Sequence, residues 1–239
     1  VNRIAALGAM ACLVLTGCGT TAPATPAAVT STTTATTKAK PAREFAPSET
    51  NQDPTKKIDG VVSAEYPKPK HVAAPQRVAY DHKPPFGGSH DQFWAACNGV
   101  VYPKAVRTEN MVHALEHGAV WISYEPSKLD ADEVTTLAER VDGTPYLLMS
   151  PYPGQDKPVS VQAWGRQLKV DSADDERIDQ FITATKRNKY LSPEPGASCD
   201  AIGAPQFDQD APPPFDPTPP GPDAAPVNPG VDEDQTPVP

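Results

Sequence analysis

His113, Glu116 and His117 fall within one short stretch, Met111-Val-His-Ala-Leu-Glu-His-Gly118, of a chain with five histidines in 239 residues. An α-helix advances about 100° per residue, so positions i, i+3 and i+4 share one side. With Met111 at zero, Leu115 and Val112 lie near about 40° and 100°, whereas Glu116, His113 and His117 lie near about 140°, 200° and 240°. Two imidazoles and a carboxylate on one arc can hold a metal ion with a base beside it. The same arc describes a short amphipathic helix with a solvated polar face. The metal reading therefore needs further ligands. His90, at the end of Gly87-Gly88-Ser89, and His71 upstream supply them from short turns. A set of His90, His113 and His117, completed by His71 or water, suits zinc or copper.

The elements around these residues read as a mixed domain. Thr108 is the expected N-cap of a helix running to His117, and Gly118 the expected residue just past its end. Val61-Val62 and Arg77 to Tyr80 read as short strands, and Ala119 to Tyr124 as a buried one. A second helix is expected over 130–141 and a third over 173–188, with strands at 146–149 and 159–164. The fold class is α+β or α/β: a single compact domain, residues 58–202, with a small sheet and about three helices between disordered ends.

The flanks have a different character. Residues 4–17 are apolar after Arg3 and end at Gly17-Cys18, a signal peptide too short to span a bilayer as a mature helix. The residues before Cys18 resemble the bacterial lipoprotein box, which makes Cys18 a lipid-bearing new amino terminus. The expected location is then the extracytoplasmic side of the cell membrane. Residues 18–57 read as a Thr/Ala/Pro-rich disordered tether. From Gly203 to Pro239 the chain has twelve prolines, seven acidic residues and no lysine or arginine, which reads as a disordered acidic tail, inert or binding an envelope protein. A net charge of -9 without a basic cluster excludes a nucleic-acid partner. With Cys12 removed and Cys18 acylated, Cys97 and Cys199 are left to pair as a disulfide outside the cytosol; the competing role for Cys97 is a thiolate metal ligand.

Tyr80, Pro84-Pro85, Gly88-Ser89-His90, Val112 to Gly118 and Tyr124, followed by Pro151-Tyr152-Pro153-Gly154 and Ala163-Trp164-Gly165, resemble the DUF3105 family of bacterial proteins of unknown function. The resemblance spans most of residues 60–195. It implies a globular extracytoplasmic domain whose characteristic histidines correspond to His71, His90, His113 and His117, with His82 outside the pattern. Phe86-Gly87 stands where a Thr-Ser is more usual.

Three functional classes follow. The first is a surface lipoprotein that binds zinc or copper, with Glu116 orienting an imidazole from outside the ligand shell. The second is a zinc hydrolase of envelope substrates, since His113-Ala-Leu-Glu116-His117 fits a His-x-x-Glu-His order with Glu116 as the base. That chemistry wants a carboxylate ligand from downstream, and Glu176 and Asp179 lie on a helix expected to be exposed. The third is a structural or partner-binding lipoprotein without metal. Trp94, Trp121 and Trp164 read as core aromatics, and Met111 lies across the helix from the histidines.

Overall fold

The structure, a computed structural model, is built on one six-stranded mixed sheet covered on both faces, with two further two-stranded pairs. Residues 43–229 are described; the signal peptide, Cys18, the tether up to residue 42 and residues 230–239 lie outside them. In chain order the strands are β1 (Val61–Ser63), β2 (His71–Val72), β3 (Val78–Ala79), β4 (His90–Asp91), β5 (Asn98–Val101), β6 (Val120–Tyr124), β7 (Leu147–Pro151), β8 (Val159–Ala163), β9 (Arg166–Val170) and β10 (Ala225–Pro226). The helices are α1 (Thr108–Glu116), α2 (Ala131–Val141) and α3 (Arg177–Thr185). Six strands make the main sheet in the order β1-β9-β8-β6-β7-β5. Strands β5, β6 and β7 run parallel, whereas β8, β9 and β1 continue antiparallel. The fold is α+β. Among the described residues no helix is long and apolar enough to cross a membrane.

Side chains alternate across a pleated strand, and here the alternation separates two cores. Val120, Ile122, Leu147, Met149, Val159, Val161, Leu168 and Val170 point to one face, where Leu137 and Val141 of α2 and Ile178 and Phe181 of α3 cover them. The intervening Trp121 and Leu148 point to the other, with α1, Phe86, Trp164 and the Cys97–Cys199 disulfide. Strand β5 reaches β6 through α1, crossing β7, and β6 reaches β7 through α2 in the opposite direction. Crossovers of one hand that run in opposite directions put their helices on opposite faces. This isolates α1 on the aromatic face.

Local signals explain most boundaries. Asp130 and Glu133 form a reciprocal capping box at the start of α2. Gly118, at φ +88°, turns the chain after α1, where a Cβ would lie 3.1 Å from the Arg187 backbone. Arg107, rather than Thr108, occupies the cap position of α1 and its side chain caps nothing. Its guanidinium is instead committed to Asp91 and to the Gln76 carbonyl. The third helix is shorter than the expected 173–188, because a turn at Asp175, which accepts from Arg177 N–H and its guanidinium, precedes it.

The folded unit extends past both ends of the expected 58–202. Phe45, inside the expected tether, is buried in the first core with Ile58. Asp53 accepts from Arg166 of β9 at 2.9 Å and from Thr55 N–H at 3.2 Å. On the other side, Phe207 is fully buried against Tyr102, Phe215 packs on Tyr152, and β10 pairs in parallel with β3. Composition assigned both stretches to disorder, but a few aromatic anchors and backbone pairings hold them.

Burial opposes ionisation of Asp53, yet its hydrogen bonds to Thr55 and Arg166 outweigh this and hold its carboxyl below the ordinary value. A depressed carboxyl stabilises the fold above its unfolded-state pKa, and the contribution is lost as pH falls through the folded value. Asp53→Asn is expected to cost about 1–3 kcal/mol at pH 7. The difference from the parent should shrink below about pH 4, as read by urea unfolding at both pH values.

Candidate metal centre

Two short strands and one helix bring the histidines together. Strand β2 pairs in parallel with β4 in a register that sets His71 beside His90, with ring centroids 4.8 Å apart. Both face α1, whose nine residues are all buried. The polar arc of α1 is therefore not a solvated surface but one wall of the cluster. His71 stacks on His113 at 5.0 Å, and His90 lies 4.8 Å from the same ring. Ligating atoms of His71, His90, His113 and Glu116 all lie within 4.8 Å of one another, the one such group among the described residues. His117 lies outside that mutual set, but its Nε2 is 3.1 Å from Nε2 of His113.

The hydrogen bonds decide which ring atoms are available. His90 Nδ1 lies 2.8 Å from the Gly88 carbonyl, His113 Nδ1 2.6 Å from the Asp91 carbonyl, and His117 Nδ1 2.7 Å from the Ser198 carbonyl. A carbonyl can only accept, so each Nδ1 carries the proton and donates it. In the neutral rings every Nε2 then presents a lone pair. Burial, followed by the influence of His90, pushes His113 down to about 3, and burial lowers His117 as well. Both rings are neutral at physiological pH. Two lone pairs thus face each other at 3.1 Å with no proton between them.

A cation held between the two atoms would resolve that opposition. Zinc–nitrogen bonds of about 2.0–2.1 Å at a tetrahedral angle put two ligating nitrogens about 3.3 Å apart, close to the observed spacing. The buried Nε2 of His90 makes no hydrogen bond; Glu116 Oε2 lies 2.9 Å away but is not aligned for one. Burial raises the Glu116 carboxyl, but its contact with His90 and the neighbouring imidazoles outweighs this, and the net effect is a lowered value. The carboxylate is ionised and sits beside the ring nitrogens. Glu116, expected outside the ligand shell, has a carboxylate oxygen among the atoms that could hold an ion. The donor set fits a transition-metal ion.

The other residues sort clearly. Side chains of His90, His113, His117 and Glu116 are almost buried, whereas that of His71 is 54% exposed and opens the cluster to solvent. Cys97 is disulfide-bonded to Cys199 and is not a ligand. His82 pairs with Asp81 and takes no part in the cluster. Asp179 pairs with Arg140, so the downstream helix supplies no carboxylate from that position. Trp94, read as core, is half-buried and lines the site, 4.9 Å from His117 and 5.6 Å from His113, whereas Trp164 is a core residue as expected and also borders the site, 5.7 Å from His90. Glu194, 3.9 Å from His117, carries no signal in the sequence at all. Trp94 follows His90 by four residues, a proximity that only the intervening turn at Asp91 makes meaningful.

An α+β domain with a buried histidine–carboxylate cluster able to hold a metal ion is the class of protein that this fold and site define. Residues 71–201 match the profile of DUF3105, described as a protein of unknown function, and the chain belongs to that family. No curated protein and no solved structure matches the chain. The match begins at His71 and takes in His90, His113 and His117.

The loop that carries His90 depends on Gly88, at φ +94°, where an added Cβ would lie 2.2 Å from Val227 Cγ2 and 2.8 Å from its carbonyl oxygen. Gly88→Ala is expected to destabilise the fold by about 1–3 kcal/mol, measured by thermal unfolding of metal-free protein.

Proposed function

We propose that the domain binds one transition-metal ion, zinc or cupric copper, on the outer side of the cell membrane. His90, His113 and His117 donate Nε2, Glu116 donates a carboxylate oxygen, and His71 closes the set from the solvent side. The observation that carries this reading is the locking of three Nδ1 atoms onto backbone carbonyls, which turns the three Nε2 atoms into a buried site. A ring nitrogen oriented by a partner on its far side is what metal-ligating histidines require. The donors are nitrogen and oxygen only, with Met111 and Met149 buried in the two cores. Such a set favours borderline divalent ions over cuprous copper. Imidazole-rich sites of this kind serve storage, sensing or delivery of the ion.

A zinc hydrolase is the second reading. What favours it is the ionised Glu116 carboxylate among the imidazoles, where a base could activate a bound water. Its closeness to His90 Nε2 supports a ligand role over that of a base. Localisation follows from Cys18: acylated there, the protein is held to the membrane by its lipid.

Metal content of the untagged chain is measured by mass spectrometry, beside His113→Ala/His117→Ala and Glu116→Gln. About one equivalent of zinc or copper is expected in the parent and almost none in the double variant. For a binding protein, Glu116→Gln should lower affinity by more than the about 10- to 100-fold that loss of an outer-shell partner costs. Retained metal with abolished hydrolysis of an envelope substrate in that variant identifies the hydrolase instead. An empty parent that also takes up no added zinc or copper ends both readings. Separately, Cys18→Ser is expected to move the protein from the membrane fraction to the soluble fraction, read by fractionation and by loss of labelled palmitate.

A further inference from the structure

Ser89 joins the two histidine strands to the C-terminal segment. Its N–H donates to the Val227 carbonyl at 2.7 Å, and its hydroxyl donates to the same oxygen at 3.2 Å. That hydroxyl also accepts from Lys70 N–H at 3.2 Å, and the Ser89 carbonyl accepts from the Tyr80 hydroxyl at 2.8 Å. Lys70 precedes His71, and Ser89 precedes His90. One carbonyl of the C-terminal segment therefore holds the residue beside one histidine directly and the residue beside another through a shared hydroxyl. Gly88 supplies the carbonyl that fixes His90 Nδ1, and Val227 Cγ2 fills the space over Gly88 where a Cβ would stand.

The same segment reaches the third histidine. Pro213 accepts from Arg107 N–H at 2.7 Å, and Arg107 is ion-paired with Asp91, whose carbonyl holds His113 Nδ1. The segment has its own seat. Phe207 is fully buried and Phe215 lies 4.8 Å from Tyr152. Asp216 pairs with Arg77, and Ala225 N–H donates to the Arg77 carbonyl at 2.9 Å, extending β3 in parallel. Between these anchors residues 216–219 and 221–223 are exposed. All of it lies C-terminal to the residues matched to the family, 71–201.

We infer that residues 203–229 form a strap that positions the metal site, holding the Gly88–His90 loop so that His90 stays aimed at the ion and the ion leaves slowly. The inference rests on the metal-binding reading above. The strap supplies no ligand. It acts through Ser89 and Gly88, and so governs retention of the ion rather than the number of ions bound.

The test uses the full chain with a site-specific protease sequence inserted between Pro222 and Asp223, compared before and after cutting. A chain ending at Pro222, which keeps Phe207 and Phe215, gives the same comparison with no fragment retained. Amide exchange at Ser89 and His90 is followed in the metal-free protein, and zinc or copper release to a chelator in the loaded protein. Cutting is expected to leave cooperative unfolding and one bound equivalent intact, to expose the Ser89 amide, and to speed release by about tenfold or more. Unchanged protection of Ser89 in both forms overturns the inference, as does an ion released at the same rate with and without the strap. Those results leave the metal site standing. A chain that binds no zinc or copper in either state overturns the metal reading, and the strap's role in retention with it.

Discussion

Three backbone carbonyls, those of Gly88, Asp91 and Ser198, govern the site because each holds the Nδ1 proton of one buried histidine. An imidazole has two nitrogens and, when neutral, one proton, so fixing that proton on one side fixes a lone pair on the other. Burial keeps the rings of His113 and His117 from taking a second proton. The loops that present those carbonyls are consequently as important as the helix that carries His113 and His117. One loop turns at Gly88, one is tied to Arg107 through Asp91, and one lies beside Cys199, whose carbonyl accepts from Cys97 N–H. A cross-link over a separation of 102 residues thus sits one residue from the carbonyl that orients His117.

The sheet makes this arrangement stable by dividing its duties. Its inner face against α2 and α3 is almost wholly aliphatic and provides cohesion by burial of apolar surface. The opposite face mixes Trp121 and Leu148 with Ser123, Ser150, Ser160, Gln162 and Gln167, all buried. Those polar groups hydrogen-bond among themselves and to neighbouring residues, as in Trp121 to Ser150 and Ser123 to Gln155. Against that face α1 is enclosed on all sides, which is why a helix of only nine residues can hold charged and ionisable side chains in fixed positions. Isolated in water, so short a helix would be marginal.

Proline-rich, acidic segments are ordinarily unable to offset the entropy of ordering, and on composition alone residues 203–229 belong to that group. Proline also lowers the entropy of the unfolded chain, so a few contacts suffice to seat an extended segment. Phe207 and Phe215 provide the contacts, and the parallel pairing at Ala225–Pro226 provides the registration. Phe45 does the same at the other end, deep in the aliphatic core. Averages over a window conceal single aromatic residues, and here those residues decide where the domain stops.

Local chemistry was legible in the residues themselves. The period of the apolar positions marked the three helices and the central strands, Gly118 marked the end of α1, and an even pair of cysteines marked the disulfide. The spacing of His113, Glu116 and His117 put three polar groups on one arc, since helical geometry depends on nothing beyond the chain's own rise and turn. What no window of sequence contains is the register of β2 against β4 that sets His71 beside His90, the carbonyls that fix each tautomer, the movement of Glu116 into the ring of nitrogens, and the arrival of Trp94 and Val227 at the site's edge. Each depends on contacts between segments far apart in the chain, and the energy that selects among them belongs to the packed fold. The residue types supplied donors that could hold a metal; only the tertiary structure decided which of their atoms converge.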